Sequence, residues 1–163
     1  FPDNWQESDK RPAIIWFFGG AWNTGTPYAF KSKADYFAKR GVVSVRVDYR
    51  IRTVDGIVND GFISGHDAKT ALRWVRKNAG RLGIDPDRII AGGDSAGGHL
   101  AVATQIPTLN DPTDDSSIST MVSALLLHNP YVVFINPESW VYQIGFKTLP
   151  PVWVSYGLKD KAA

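Results

Sequence analysis

Five short apolar runs, set among segments whose apolar residues recur at helical spacing, constrain this chain more than any other feature. Ala13-Ile14-Ile15-Trp16-Phe17-Phe18 is apolar at every position and stops at Gly19-Gly20. A strand must read this way when both its faces are covered. Further strands are predicted at 42–47, 88–92, 123–127 and 152–156. Between them, Phe30, Ala34, Phe37 and Ala38 fall on one helical face, and Gly41 ends that segment as a C-cap would. Ser64 stands three residues before Asp67, the spacing of a capping box, ahead of an apolar stripe of Ala68, Ala71, Leu72, Val75 and Ala79. Ser95 leads from a strand straight into a third helical segment through Leu100-Ala101-Val102-Ala103, and Pro137-Glu138 opens a short one. Residues 49–62 and 110–119 read as loops. This order implies an α/β fold: a three-layer sandwich around a mostly parallel central sheet of about five strands. Ligands of open sheets sit beyond the carboxyl ends of the strands. Those ends are Gly19-Gly20, Asp48-Tyr49, Asp94-Ser95, His128-Asn129 and 157–160.

Composition removes several classes of function. At 163 residues, 44% apolar and 21% charged, the chain is one ordinary globular domain. It contains no cysteine, hence no disulfide and no thiolate metal site, and no His/Asp/Glu cluster has metal-ligand spacing. No cofactor is called for. A net charge of +2, from scattered basic residues, argues against a nucleic-acid partner. No apolar run approaches the roughly 20 residues of a membrane span. The chain begins at Phe1 with no visible signal peptide. The compartment stays open: secreted or periplasmic if a signal peptide preceded Phe1, otherwise cytoplasmic.

Gly93-Asp94-Ser95-Ala96-Gly97 is a G-x-S-x-G sequence between a predicted strand and a predicted helix. In that context the serine occupies a strained turn that projects its hydroxyl from the sheet edge, and small neighbours let strand and helix approach. A glycine-rich turn with Ser95 as N-cap would account for the serine alone. It leaves Phe18-Gly19-Gly20-Ala21-Trp22 unexplained. That small-residue loop ends the first strand and can present backbone N–H groups to a developing oxyanion. Gly20 and Ala21 are two candidate donors and Ala96, after the serine, is a third. Gly19, Trp22, Asp94 and His128 lie close enough in the pattern to line the same pocket.

These two motifs, with Val47-Asp48-Tyr49-Arg50, the Asp67–Val75 segment and Gly83-Ile84-Asp85-Pro86-Asp87-Arg88-Ile89, resemble the α/β-hydrolase family. The likeness is to its esterase and lipase branch, which includes hormone-sensitive-lipase-like and carbohydrate acetyl esterases. It runs from about Pro12 to Ala103 and returns from Pro150 to Asp160. The family usually has a histidine where this chain has Phe18, and a third glycine where it has Ala21. The resemblance implies a carboxylic-ester hydrolase with a serine nucleophile, acting through an acyl-enzyme on small acyl esters such as acetylated sugars. Asp48-Tyr49-Arg50 would brace the oxyanion loop.

A serine nucleophile needs a histidine base oriented by a carboxylate. Asp160, just past the last strand, matches the family's acid. The family's histidine follows the acid by a further helix and strand, whereas this chain ends at Ala163 and holds only His66, His99 and His128. His66 opens a helix and reads as a surface residue. His99, one turn into the nucleophile helix, points away from the hydroxyl. His128, at a strand end, is the candidate for a substitute base. Residues 1–163 therefore read as a single α/β-hydrolase domain incomplete at both ends. Exposed sheet edges would then favour self-association. Two other readings stay open: a catalytically impaired remnant that binds small molecules or partners, and a peptidase of the same fold.

Overall fold

The wholly apolar first run becomes an interior strand, β1 (Arg11–Phe17), with Ala13 to Phe17 at most 1% exposed. This computed structural model describes residues 1–54, 57–58, 61–131 and 149–159. After β1 come a 3₁₀ turn at Pro27–Phe30, α1 (Lys31–Ala38) and β2 (Val43–Arg46). A small hairpin, β3 (Thr53–Val54) and β4 (Ile57–Val58), leads to α2 (Phe62–Lys77). The chain continues through β5 (Ile84–Ser95), α3 (Ala96–Ala103), β6 (Ala124–Pro130) and β7 (Val152–Ser155). Five strands form one parallel sheet in the order β2-β1-β5-β6-β7.

The step from β1 to β2 runs one way along the sheet, and the steps through β5, β6 and β7 run the other. Right-handed crossovers therefore place α1 on one face and α2 and α3 on the opposite face. Side chains agree. On the α1 face Trp16 stacks on Phe30, with ring centroids 4.8 Å apart, and meets Phe37 at 5.7 Å. Leu72 and Leu100, from α2 and α3, are fully buried. The far edge is less covered: on β7, Val152, Trp153 and Val154 are 41–53% exposed. No helix among the described residues is long and apolar enough to cross a membrane.

The predicted sheet and helices are present, with differences at their ends. β5 starts at Ile84 rather than near Arg88, pairing with Arg11 before a register shift absorbs the Asp85-Pro86-Asp87 turn. The loop after Tyr49 contains the β3–β4 hairpin, whose two-residue strands are too short to show a period. The capping box does not form. α2 opens at Phe62 behind Gly61, while Ser64 Oγ donates to the Arg50 carbonyl and Asp67 accepts from Arg50. A neighbouring segment thus supplies better partners than the helix's own N-terminus. The Pro137-Glu138 helix lies outside the described residues.

Polar residues on α2 also depart from the simple stripe. Arg73 is 6% exposed and pairs with Asp114 at 2.6 Å, and Arg76 donates to the carbonyls of Ser119 and Met121. The two arginines anchor the polar connection from α3 to β6.

Strand and helix meet closely where β5 turns into α3. A Cβ built on Gly97 would fall inside the Phe17 carbonyl, a backbone group that cannot rotate away. Gly97→Ala is expected to destabilise the protein by about 1–3 kcal/mol, read as a lower urea midpoint with unchanged slope.

Candidate active site

Ser95 ends β5 and precedes α3 with φ 48° and ψ −121°, a conformation sparsely populated by any residue with a Cβ. Parallel pairing of β5 on both sides and the packing of α3 beneath it hold the turn in place. A hydrogen bond from Tyr131 N–H to the Ser95 carbonyl at 3.0 Å fixes its other end. The side chain is therefore lifted from the carboxyl edge of the sheet. Its Oγ makes no hydrogen bond among the described residues.

The loop after β1 comes to meet it. A Cβ on Gly19 would stand 3.1 Å from the Ser95 Cβ, so loop and turn are in van der Waals contact. Covalent geometry alone then keeps the Gly20 N–H within roughly 7 Å of that Cβ. Gly20 has φ 126°, which favours glycine, and Ala21 and Trp22 follow in the left-handed region at φ 51° and 56°. Asn23 and Thr24 N–H both donate to the Gly20 carbonyl at 3.0 Å, which closes the bend. Ala96, the third candidate donor, is buried at the first position of α3.

Two braces hold the loop. Asp94 Oδ1 accepts from the Gly19 N–H at 2.9 Å, so the residue before the serine ties both motifs together. Tyr49 donates its hydroxyl to the Phe18 carbonyl at 2.6 Å, and its ring stacks on Phe18 at 4.1 Å. Burial, with Asp94 and Asp48 nearby, pushes the Tyr49 phenol well above its ordinary pKa, so it remains a donor. Arg50 forks onto Asp67, its Nη2 at 2.6 Å from Oδ1. Of Asp48-Tyr49-Arg50, Tyr49 provides the expected bracing directly, whereas Arg50 is tied to α2.

Trp22 lies beside the bend with its ring edge-on to His99 at 5.0 Å and to Tyr131 at 5.9 Å. His99 is therefore behind the loop wall. His128 shares its register position with Asp94, yet its ring lies on the α1 face, between Trp16 at 6.3 Å and Trp153 at 5.3 Å. Its Nδ1 meets Ser155 Oγ at 3.1 Å. Asp160 is outside the described residues. The structure thus unites Ser95, Asp94, Gly19, Gly20 and Trp22 at one edge and places His128 below it. Sequence reading did not anticipate the Asp94–Gly19 bond. The signal for it was the acidic residue before the serine.

A parallel sheet with a strained serine at a strand–helix turn, faced by a small-residue loop, is the arrangement of the α/β-hydrolases. Comparison with known proteins narrows the class. The family model described as BD-FAE matches residues 2–124. Secreted lipase 5 of Gibberella zeae is 31% identical over 133 residues, covering 75% of this chain and 25% of that protein. Human bile salt-activated lipase is 29% identical over 159 residues, 90% of this chain and 21% of its own length. A solved structure of Thermogutta terrifontis esterase 2 superposes with a TM-score of 0.84 at 38% identity, covering 94% of this chain and 61% of that one. The chain belongs to the BD-FAE family, within the esterase and lipase branch of the α/β-hydrolases. It spans about a quarter of the length of these two lipases.

Asp94→Ala removes the acceptor of the Gly19 N–H and is expected to cost about 1–3 kcal/mol, whereas Asp94→Asn, which keeps an acceptor, costs less. Exchange of the Gly19 amide by NMR should be faster in the alanine variant alone. Burial, followed by Lys33, lowers the His128 pKa below its ordinary 6.5 against the opposing pull of Asp94. Below 6.5 the unfolded chain takes up this proton before the native state does, so stability rises with pH across that interval. Comparing urea midpoints at about pH 5 and 7 with those of His128→Asn checks this, because the variant lacks that part of the slope.

Proposed function

We propose that the chain is the nucleophile-bearing core of a carboxylic-ester hydrolase that works through an acyl-serine intermediate. Ser95 Oγ attacks the acyl carbon while its proton passes to a histidine base oriented by Asp160. The N–H groups of Gly20, Ala21 and Ala96 receive the negative charge that develops on the carbonyl oxygen. The alcohol then leaves with the proton, and water releases the acid by the reverse sequence. The observation that carries this reading is the positive φ of Ser95 in contact with the Gly19 loop. Strain of this kind costs about 1–3 kcal/mol and persists where surrounding structure imposes it. A helix N-cap would not require it, since capping residues take ordinary extended conformations.

Small acyl esters are the substrate class. Support comes from Thermogutta terrifontis esterase 2, solved in forms described as phosphorylated by paraoxon, propionate-bound and butyrate-bound. A neighbour that is phosphorylated by paraoxon and is also solved with propionate or butyrate bound fits a reactive serine with a small acyl pocket. One observation favours a second reading, an ester-binding scaffold without turnover: no histidine reaches Ser95 Oγ among the described residues, and His128 is engaged with Ser155.

Incubation with paraoxon followed by peptide mass spectrometry separates the two. The expected result is one diethylphosphoryl adduct on the Ser95 peptide, absent in Ser95→Ala, with hydrolysis of p-nitrophenyl acetate faster than of the matching anilide. A folded protein that shows neither adduct nor turnover, yet binds the ester, supports the scaffold. Preference for the anilide would identify a peptidase.

A further inference from the structure

α2 buries two cations one turn apart where it meets the connection from α3 to β6. Lys69 is 1% exposed and Arg73 is 6% exposed. Arg73 is well supplied. Its Nη1 pairs with Asp114 Oδ2 at 2.6 Å, Nη2 donates to Asn110 Oδ1 at 2.6 Å, and Nε donates to the Ile118 carbonyl at 3.2 Å.

Lys69 is not. Its Nζ donates to the Ile106 carbonyl, past the end of α3, and pairs with no carboxylate among the described residues. An ammonium has three donors, so most of its hydrogen-bonding capacity is unused there. Asp114, the acidic group facing it, is already committed to Arg73 and to Thr70 Oγ1. Two buried positive charges therefore share one contacting carboxylate, Asp114, while Asp115 acts on Arg73 only from the solvent side. A buried charge is ordinarily paired or discharged, because leaving it alone costs far more than either. Burial and the neighbouring Arg73 lower the Lys69 pKa to about 8, with Asp114 opposing. At neutral pH the ammonium is still the main form.

A cavity of about 300 Å³ adjoins the pair. Its lining includes Lys69, Arg73, Asn110 and Thr120 among polar residues, and Ile106 and Met121 among apolar ones. We propose that this cavity binds a small monocarboxylate, its head group on Lys69 Nζ and the outer N–H groups of Arg73, its short alkyl part against the apolar side. One negative charge balances the local surplus. Chloride would leave the apolar wall unfilled, and a phosphate dianion would exceed the surplus. The cavity adjoins the C-terminal end of α3, one helix length (roughly 12 Å) from the Ser95 end. It is thus a second site, independent of the ester chemistry.

Thermal unfolding of the whole chain at pH 7 and constant ionic strength tests the proposal, with propionate titrated against inorganic phosphate and chloride. Propionate is expected to raise Tm by about 3–5 °C at a tenfold excess over its Kd, with smaller or no effect from the other anions. Lys69→Met should abolish that response. Asn110→Asp places a carboxylate in the cavity beside Arg73, at the cost of the bond that Asn110 Nδ2 donates to the Pro107 carbonyl at 2.7 Å, and is expected to remove the response. It therefore serves even if Lys69→Met fails to fold. Equal responses to propionate and chloride, or a response to phosphate alone, would overturn the proposal. So would a propionate response that survives in Asn110→Asp, since it would belong elsewhere on the molecule.

Discussion

The close crossing of α3 beneath β1 and β5 is the constraint on which the rest depends. Gly97 lies against the Phe17 carbonyl and Gly98 against Pro130, so the helix axis comes nearer the sheet than side chains would allow. To leave β5 and enter α3 at that distance, the chain must reverse within one residue. Ser95 takes the strain, with φ 48°. The conformation of the serine therefore results from a packing requirement two and three residues away, and the small residues of the motif act through space rather than as flexible spacers.

Once the turn is imposed, the facing loop is organised by polar contacts of modest individual strength. Asp94 grips the Gly19 amide, Tyr49 holds the Phe18 carbonyl, and the Arg52 N–H meets the Trp22 carbonyl at 2.8 Å. Each satisfies a backbone group that would otherwise be unpaired at a half-buried edge. Together they fix the bend beside the serine. An ester hydrolase requires this arrangement before substrate arrives, because donors that must reorient during reaction lose much of their advantage.

The opposite end of α3 shows a different use of polar groups. Arg73 and Arg76 bind carbonyls of the connection to β6 and so replace an apolar anchor with hydrogen bonds. Lys69 lies on the same face, beside the apolar stripe, and is buried with it. Burying a lysine is costly, and its surroundings answer only part of its demand.

How much of this was legible beforehand can be judged from particular residues. The alternation of apolar runs and helical stripes determined the layered parallel sheet, because each period buries one kind of surface. The two glycine-rich motifs, by their position at strand ends, determined that the serine turn and the small-residue loop would meet at the carboxyl edge of the sheet. Sequence could not reveal that Ser64 would turn from its own helix to the Arg50 carbonyl, that Asp94 would bond Gly19 across the sheet, or that His128 would face α1. Those choices depend on which segments become neighbours in space. A hydrogen-bonding side chain takes the best partner within reach, and only the folded structure decides what is within reach.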